Sequence, residues 1–205
     1  MSRLLLVRHG ETELKSSERY WGRTDTKLSA LGLRQAERLR DRLAAERIDA
    51  IYSSNLKRAR MTAEIIASGH QLDVTTCAEL REVDFGEIEG LNMEEVSQLF
   101  PELAVRMKKV DRGPDFRYPG GESLDELGNR LSSFLGRLKK HNEEETVLVV
   151  AHYGVIRTLI CQLMGMELRH VYHIRLKLAS LSIMETGPTG AILHRLNDTS
   201  HLDSI

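Results

Sequence analysis

Thr146-Val147-Leu148-Val149-Val150-Ala151-His152-Tyr153-Gly154 is the stretch whose reading decides the fold. Its apolar part shows no alternation with polar residues, so both of its faces need cover, as in a parallel strand buried inside an α/β sheet. Working outward, Leu4-Leu5-Leu6-Val7, Ala50-Ile51-Tyr52 and Leu181-Ser182-Ile183-Met184 read as further strands. Helical spacing fills the gaps. With Ser29 as N-cap, Leu33, Ala36, Leu39, Leu43 and Ile48 share one face, and Arg34, Glu37, Arg38, Asp41 and Arg42 share the other. A second helix is predicted from about Lys57 to Ser68, ending near Gly69. A third carries the apolar stripe Leu124, Leu127, Leu131, Phe134, Leu135 and Leu138 behind a Ser123/Glu126 capping box, and a fourth covers Val155 to Met164. Strand-then-helix repetition predicts an α/β three-layer sandwich, a mostly parallel central sheet flanked by helices. The region 79–121 breaks the rhythm with Pro101, Pro114, Pro119, Gly120 and Gly121, and only Glu94 to Leu99 look helical, so an irregular insertion forming part of a lid is expected there.

Composition narrows the function. The 205 residues are 41% hydrophobic and 29% charged, which argues for an ordinary folded chain and, at roughly 150 residues per domain, for a single domain spanning 1–205. A formal net charge of −1 offers no broad basic field. Nucleic acid and membrane are therefore not expected as partners, and any anion must be bound locally. The longest apolar runs fall far short of the roughly 20 residues a membrane-spanning helix needs, and the N-terminus carries no apolar signal stretch, so a cytoplasmic location is expected. Cys77 and Cys161 are too few for a disulfide framework or a cysteine metal site and read as free thiols. Neither metal nor cofactor is expected, since no His-Glu-x-x-His, paired-carboxylate or clustered Cys/His spacing occurs. The oligomeric state is left open, a dimer included.

Ligands of open α/β sheets bind beyond the carboxyl ends of the strands. Here the first strand runs into Arg8-His9-Gly10, the second through Ser53-Ser54 to Lys57-Arg58, and the Thr146 to Ala151 strand into His152. Parallel strands would bring these ends together. Two histidines, two arginines and a helix N-terminus converging on one pocket suit a dianion such as phosphate. A lone histidine at a strand end is more often structural than catalytic, so it is the shared position that singles out His9 and His152. His70, His141, His170, His173, His194, His201 and Arg60 are read as surface or satisfied residues.

Arg8-His9-Gly10-Glu11-Thr12, Arg19-Tyr20-Trp21-Gly22, Asp25 and Leu28-Ser29-Ala30-Leu31-Gly32 resemble the opening block of the histidine phosphatase superfamily, which includes the phosphoglycerate mutases. Ser53-Ser54-Asn55-Leu56-Lys57-Arg58-Ala59 with Thr62-Ala63 resembles its second block. The third is matched by Leu80-Arg81-Glu82 with Phe85-Gly86-Glu87 and Glu89-Gly90, and the fourth by Ala151-His152-Tyr153-Gly154. The resemblance implies a phosphoglycerate mutase-like fold, with His9 as the nucleophile that forms a phosphohistidine and Glu82 as proton donor to the leaving alkoxide. It also implies that Arg8, Arg58 and His152 hold the phosphoryl oxygens. Chemistry supports these roles. An imidazole titrating near 6.5 is kept neutral by neighbouring cations, and guanidinium forks match phosphoryl oxygens.

One departure concerns Lys15, which stands where the family commonly has a phosphate-binding Asn; Lys15 or Ser16 would take over that work. Trp21 and Gly22 are placed near the substrate's organic part. The length resembles the shorter phosphatase branch, so hydrolysis of a small phosphorylated metabolite is expected. Arg19-Tyr20-Trp21-Gly22, Gly120-Gly121-Glu122-Ser123 and His173-Ile174-Arg175-Leu176 resemble α-ribazole phosphatases of cobalamin assembly. Mutase-type phosphoryl transfer and a non-catalytic phosphate-binding module are the alternatives. The presence of His9, Glu82 and His152 together argues against the latter.

Overall fold

A computed structural model describes residues 2–14, 19–109, 112, 116–188 and 190–203. Lys15 and Ser16 lie outside them. In chain order the elements are β1 (Ser2–Arg8), α1 (Ala30–Leu43), β2 (Ala50–Ser54), α2 (Lys57–Ala67), β3 (Val74–Cys77), α3 (Met93–Leu99), α4 (Pro101–Met107), α5 (Leu124–Leu138), β4 (Thr146–Ala151), α6 (Tyr153–Leu163), β5 (Leu181–Gly187) and β6 (Gly190–Asp198). The sheet order is β3-β2-β4-β1-β5-β6.

β4 is buried at every position and sits between β2 and β1, parallel to both. The side-chain period of two divides the core. Leu4, Leu6, Val147 and Val149 face α5 and α6, joining Leu131, Phe134 and Leu159 in one cluster. Leu5, Val7, Leu148 and Val150 face α1 and α2, meeting Leu39, Leu43, Ala63 and Ile66 in the other. Helices on both sides make three layers. Ser29 caps α1 by accepting from the Gly32 N–H, and Ser123 and Glu126 form the reciprocal capping box of α5.

The sheet is mixed, which corrects the mostly parallel expectation. β1, β2, β3 and β4 are parallel, whereas β5 runs antiparallel to β1 and β6 antiparallel to β5. The physical reason lies after α6. That helix carries the chain away from the His152 end of the sheet, and the segment 164–180 brings it back, so β5 starts beside the end of β1 with Leu181 opposite Val7. An apolar run such as Leu181 to Met184 does not reveal its own direction. β3 and β6 are strands beyond those read from the sequence; β3 is short and polar, and β6 is an exposed edge. α1 ends at Leu43, and Ile48 joins the same core from the following loop. The region 79–121 is more helical than expected, holding both α3 and α4.

Phe134 is wholly buried beneath the sheet while Ser123 sits at an exposed cap. Urea unfolding should therefore separate them: Phe134→Ala should lose about 3–5 kcal/mol and Ser123→Ala about 1 kcal/mol.

Candidate active site

The site forms where β1, β4 and α2 meet. The His9 N–H donates to the Ala151 carbonyl at 3.1 Å, and the His9 carbonyl accepts from Ala179 at 3.0 Å, so β4 and the strand-return segment fix this backbone from both sides. The Gly10 N–H donates to Thr62 Oγ1 of α2 at 3.3 Å. His9 Nδ1 lies 2.8 Å from the Gly10 carbonyl oxygen. A carbonyl only accepts, so Nδ1 carries the proton and the Nε2 lone pair is free.

His152 stands against His9, with ring centroids 5.1 Å apart in an edge-on arrangement. Its Nδ1 accepts from Arg58 Nε at 3.2 Å, which assigns the proton to Nε2. That Nε2 is buried and has no hydrogen-bond partner among the described residues. Burial holds both imidazoles well below the ordinary histidine range, and the guanidiniums of Arg58 and Arg8 push in the same direction. One ring thus presents a basic nitrogen and the other a donor.

Arg58 is 2% exposed, so its guanidinium needs protein acceptors. Besides the bond to His152, Nη1 donates to the Thr24 carbonyl at 2.7 Å and Nη2 to the Gly22 carbonyl at 2.8 Å. Those carbonyls are held in turn by Glu89, whose carboxylate accepts from Gly22 N–H and Thr24 N–H. A Cβ at position 22 would lie 2.1 Å from the Val83 carbonyl oxygen, so only glycine fits. Arg8 donates to the Leu176 carbonyl at 2.6 Å and stacks 4.8 Å above the Tyr153 ring. Burial lowers it to about 10, which leaves it cationic at neutral pH.

Glu82 sits at the start of α6. Its carboxylate accepts from Gly154 N–H at 3.1 and 3.2 Å and from Val83 N–H at 2.9 Å. A Cβ on residue 154 would stand 2.7 Å from Glu82 Oε1, so glycine is needed for the approach. Arg130 of α5 braces the segment before Glu82, donating to the Arg81 carbonyl at 2.9 Å and to Glu122.

Together these groups open onto a cavity of about 630 Å³. Arg8, His9, Arg58, Glu82 and Trp21 line it, whereas His152, wholly buried with its ring edge-on to that of His9, is not among the lining residues. Gly22 does not line it but lies behind, holding Arg58. Tyr153, Arg157, Tyr172 and Arg112 also line the cavity, and sequence reasoning missed them. Arg157 left a trace, as the one charged residue in the largely apolar run Val155 to Leu163; Arg112 lies in the insertion and left none. Among the described residues no cluster of three or more His, Cys, Asp or Glu could hold a metal ion, and no helix is long and apolar enough to cross a membrane. The arrangement can bind a phosphoryl group and attack it with nitrogen.

Residues 4–199 match the model of the histidine phosphatase superfamily, branch 1. The chain belongs to the histidine phosphatase superfamily. It is 36% identical over 202 residues to phosphoserine phosphatase 1 of Hydrogenobacter thermophilus, covering 98% of this chain and 95% of that one. It is 41% identical over 159 residues to phosphoglycerate mutase-like protein 4 of Arabidopsis thaliana, 76% of this chain and 68% of that one. Among solved structures, the α-ribazole phosphatase of Shigella flexneri superposes with a TM-score of 0.85 at 31% identity, with 96% of each chain covered.

The depressed histidines have a measurable consequence. Below about pH 6.5 the unfolded chain takes up protons that folded His9 and His152 refuse, so stability should fall as pH drops through that value. Long-range ¹H–¹⁵N spectra should show His9 protonated at Nδ1 and His152 at Nε2 across the neutral range, with neither ring titrating near 6.5; an ordinary titration of either would contradict the geometry.

Proposed function

We propose that the protein is a phosphomonoesterase that works through a phosphohistidine on His9. The observation that carries this reading is the His9 Nδ1 bond to the Gly10 carbonyl, because it frees Nε2 as a nucleophile beside Arg8, Arg58 and His152. Nε2 attacks phosphorus and the ester P–O bond breaks. Arg8, Arg58 and the His152 Nε2–H bind the phosphoryl oxygens as charge moves onto them. Glu82 gives its proton to the departing alkoxide, then takes one from the water that attacks phosphorus and releases inorganic phosphate. Splitting a very slow hydrolysis into two displacements through a covalent intermediate is the chemical gain.

The region 79–121, read as an insertion in one domain covering 1–205, would close over the organic part of the ester. Met107, Phe116 and Tyr118 on its cavity side fit that role. Phosphoserine phosphatase 1 and the Shigella flexneri structure support hydrolysis, and phosphoglycerate mutase-like protein 4 keeps mutase transfer as the alternative. A second reading, α-ribazole 5′-phosphate as substrate, is favoured by Trp21, Phe85 and Tyr20 on the wall and by the Shigella flexneri structure.

Two experiments test the mechanism. Neutral quenching with labelled substrate should trap an acid-labile, alkali-stable phosphoenzyme that is missing in His9→Ala; label on serine would defeat the reading. Glu82→Gln should slow alkyl phosphates at least tenfold more than aryl phosphates, about 1.4 kcal/mol of barrier, because a phenolate needs little protonation. Equal losses on both would remove Glu82 from acid catalysis.

A further inference from the structure

Glu82 is 6% exposed and lies in a stretch, 81–85, that belongs to no helix or strand. Regular structure therefore does not fix the residue read as the proton donor. Its carboxylate reaches the α6 N-terminus and the Val83 N–H, but the backbone that carries it is held from α5 and from the loop before α5. Arg130 Nη1 donates to the carbonyls of Glu79 and Arg81, on one side of Glu82. On the other side, Glu122 Oε2 accepts from the Asp84 N–H at 3.4 Å, and the Glu122 N–H donates to the Asp84 carbonyl at 2.9 Å. The two side chains then join each other. Arg130 Nε donates to Glu122 Oε1 and Nη2 to Oε2, both at 2.8 Å, with the side chains 18% and 10% exposed.

One bidentate ion pair thus grips the chain before and after Glu82. The loop of Glu122 is also sewn along the next residues, since the Glu87 N–H donates to the Pro119 carbonyl at 2.8 Å and a Cβ at Gly121 would stand 2.4 Å from the Asp84 carbonyl oxygen. Proton transfer needs donor and acceptor within about 2.6–3.2 Å, and a misplacement of about 1 Å can cost about 100-fold. We infer that Arg130 and Glu122 are positioning residues that hold Glu82 where it can protonate the leaving group. This inference rests on the phosphatase reading and deepens its acid step. Arg130 is not among the residues lining the cavity, so it does not act on the ester directly. After burial, Arg58, His9 and Arg8, its charge also bears on His152. An electrostatic role of that kind would affect every ester alike, whereas a role through Glu82 depends on how much the leaving group needs a proton.

The test measures alkyl against aryl phosphates in the wild type, Arg130→Gln, Arg130→Lys and Glu122→Gln, and repeats Arg130→Gln in the Glu82→Gln background. Arg130→Gln should cut kcat for alkyl phosphates at least about tenfold more than for aryl phosphates, with KM for both within about threefold. Glu122→Gln should share the selective loss in kcat. Arg130→Lys keeps the charge but cannot span a carboxylate and two carbonyls, so it should share that loss too. Once Glu82 is replaced, no donor remains to be misplaced, and Arg130→Gln should change the alkyl-to-aryl ratio by less than about threefold. Equal losses on both ester classes, a full further selective loss in the double variant, or a wild-type ratio in Arg130→Lys would overturn the inference. The Gly154 amide, which donates to Glu82, gives a readout without turnover. Its hydrogen exchange should quicken about tenfold or more in Arg130→Gln, the range of a hydrogen bond to a charged group. Unchanged exchange would equally count against the clasp. If Arg130→Gln fails to fold, the Lys variant decides by the same two readouts. If the wild type hydrolyses no ester, p-nitrophenyl phosphate included, the phosphatase reading falls, and Gly154 exchange still judges whether the ion pair places Glu82.

Discussion

Burying the Arg58 guanidinium is the constraint on which the site's architecture depends. An arginine sealed from water must find an acceptor for each nitrogen. Two are backbone carbonyls, of Gly22 and Thr24, and the third is His152 Nδ1. The last bond does more than satisfy a donor, because it dictates which nitrogen of His152 carries the proton. The carbonyls in turn must be held still, and Glu89 does this through the N–H groups of the same loop. A carboxylate in the third sequence block thereby acts on a histidine in the fourth, through a loop in the first and an arginine in the second.

Net charge over the whole chain is nearly zero, yet the site is strongly cationic. The two facts are compatible because the carboxylates are spent on backbone N–H groups and on structural arginines. Glu82 faces the start of α6, Glu89 the 22–24 loop and Glu122 Arg130. Arg8 and Arg58, which the proposed mechanism assigns to the phosphoryl group, and Arg157 are all lowered from the ordinary arginine range by burial. The same burial keeps His9 and His152 neutral. A single physical effect, removal of water, keeps the proposed nucleophile neutral and sharpens its electrostatic surroundings.

Much of this was legible in the sequence because it lies at strand ends. Arg8-His9, Lys57-Arg58 and His152 follow apolar runs whose periodicity is plain, and the Ser29 and Ser123 caps announce their helices. Glu82 was legible by resemblance alone, since no strand or helix pattern leads to it. Strand direction was hidden, because alternation and apolarity are the same in either orientation. β6 was hidden by its exposure, which leaves polar residues such as His194, Arg195 and Asp198 where a core strand would show aliphatic ones. Gly22 was placed with Trp21 near the substrate's organic part from its position in the first block, but what approaches it closely is the Val83 carbonyl. Arg112 comes from the insertion and Tyr172 from the short 3-10 helix Leu168–His173, and only folding brings them into line.

The mixed sheet and the site explain each other. A further parallel strand beside β1 would enter from the end remote from His9, and no returning chain would pass over His9. Because β5 instead enters from the His9 end, the segment before it must cross the rim of the cavity. There the Leu176 carbonyl holds Arg8, Ala179 ties down the His9 carbonyl, and the Ser180 carbonyl accepts from the Arg8 N–H. Tyr172, in the same return, stacks on Arg112 and Arg157. Reversing one strand thus converts a connection into the fourth wall of the site, fixing Arg8 and His9 from the side that β4 cannot reach.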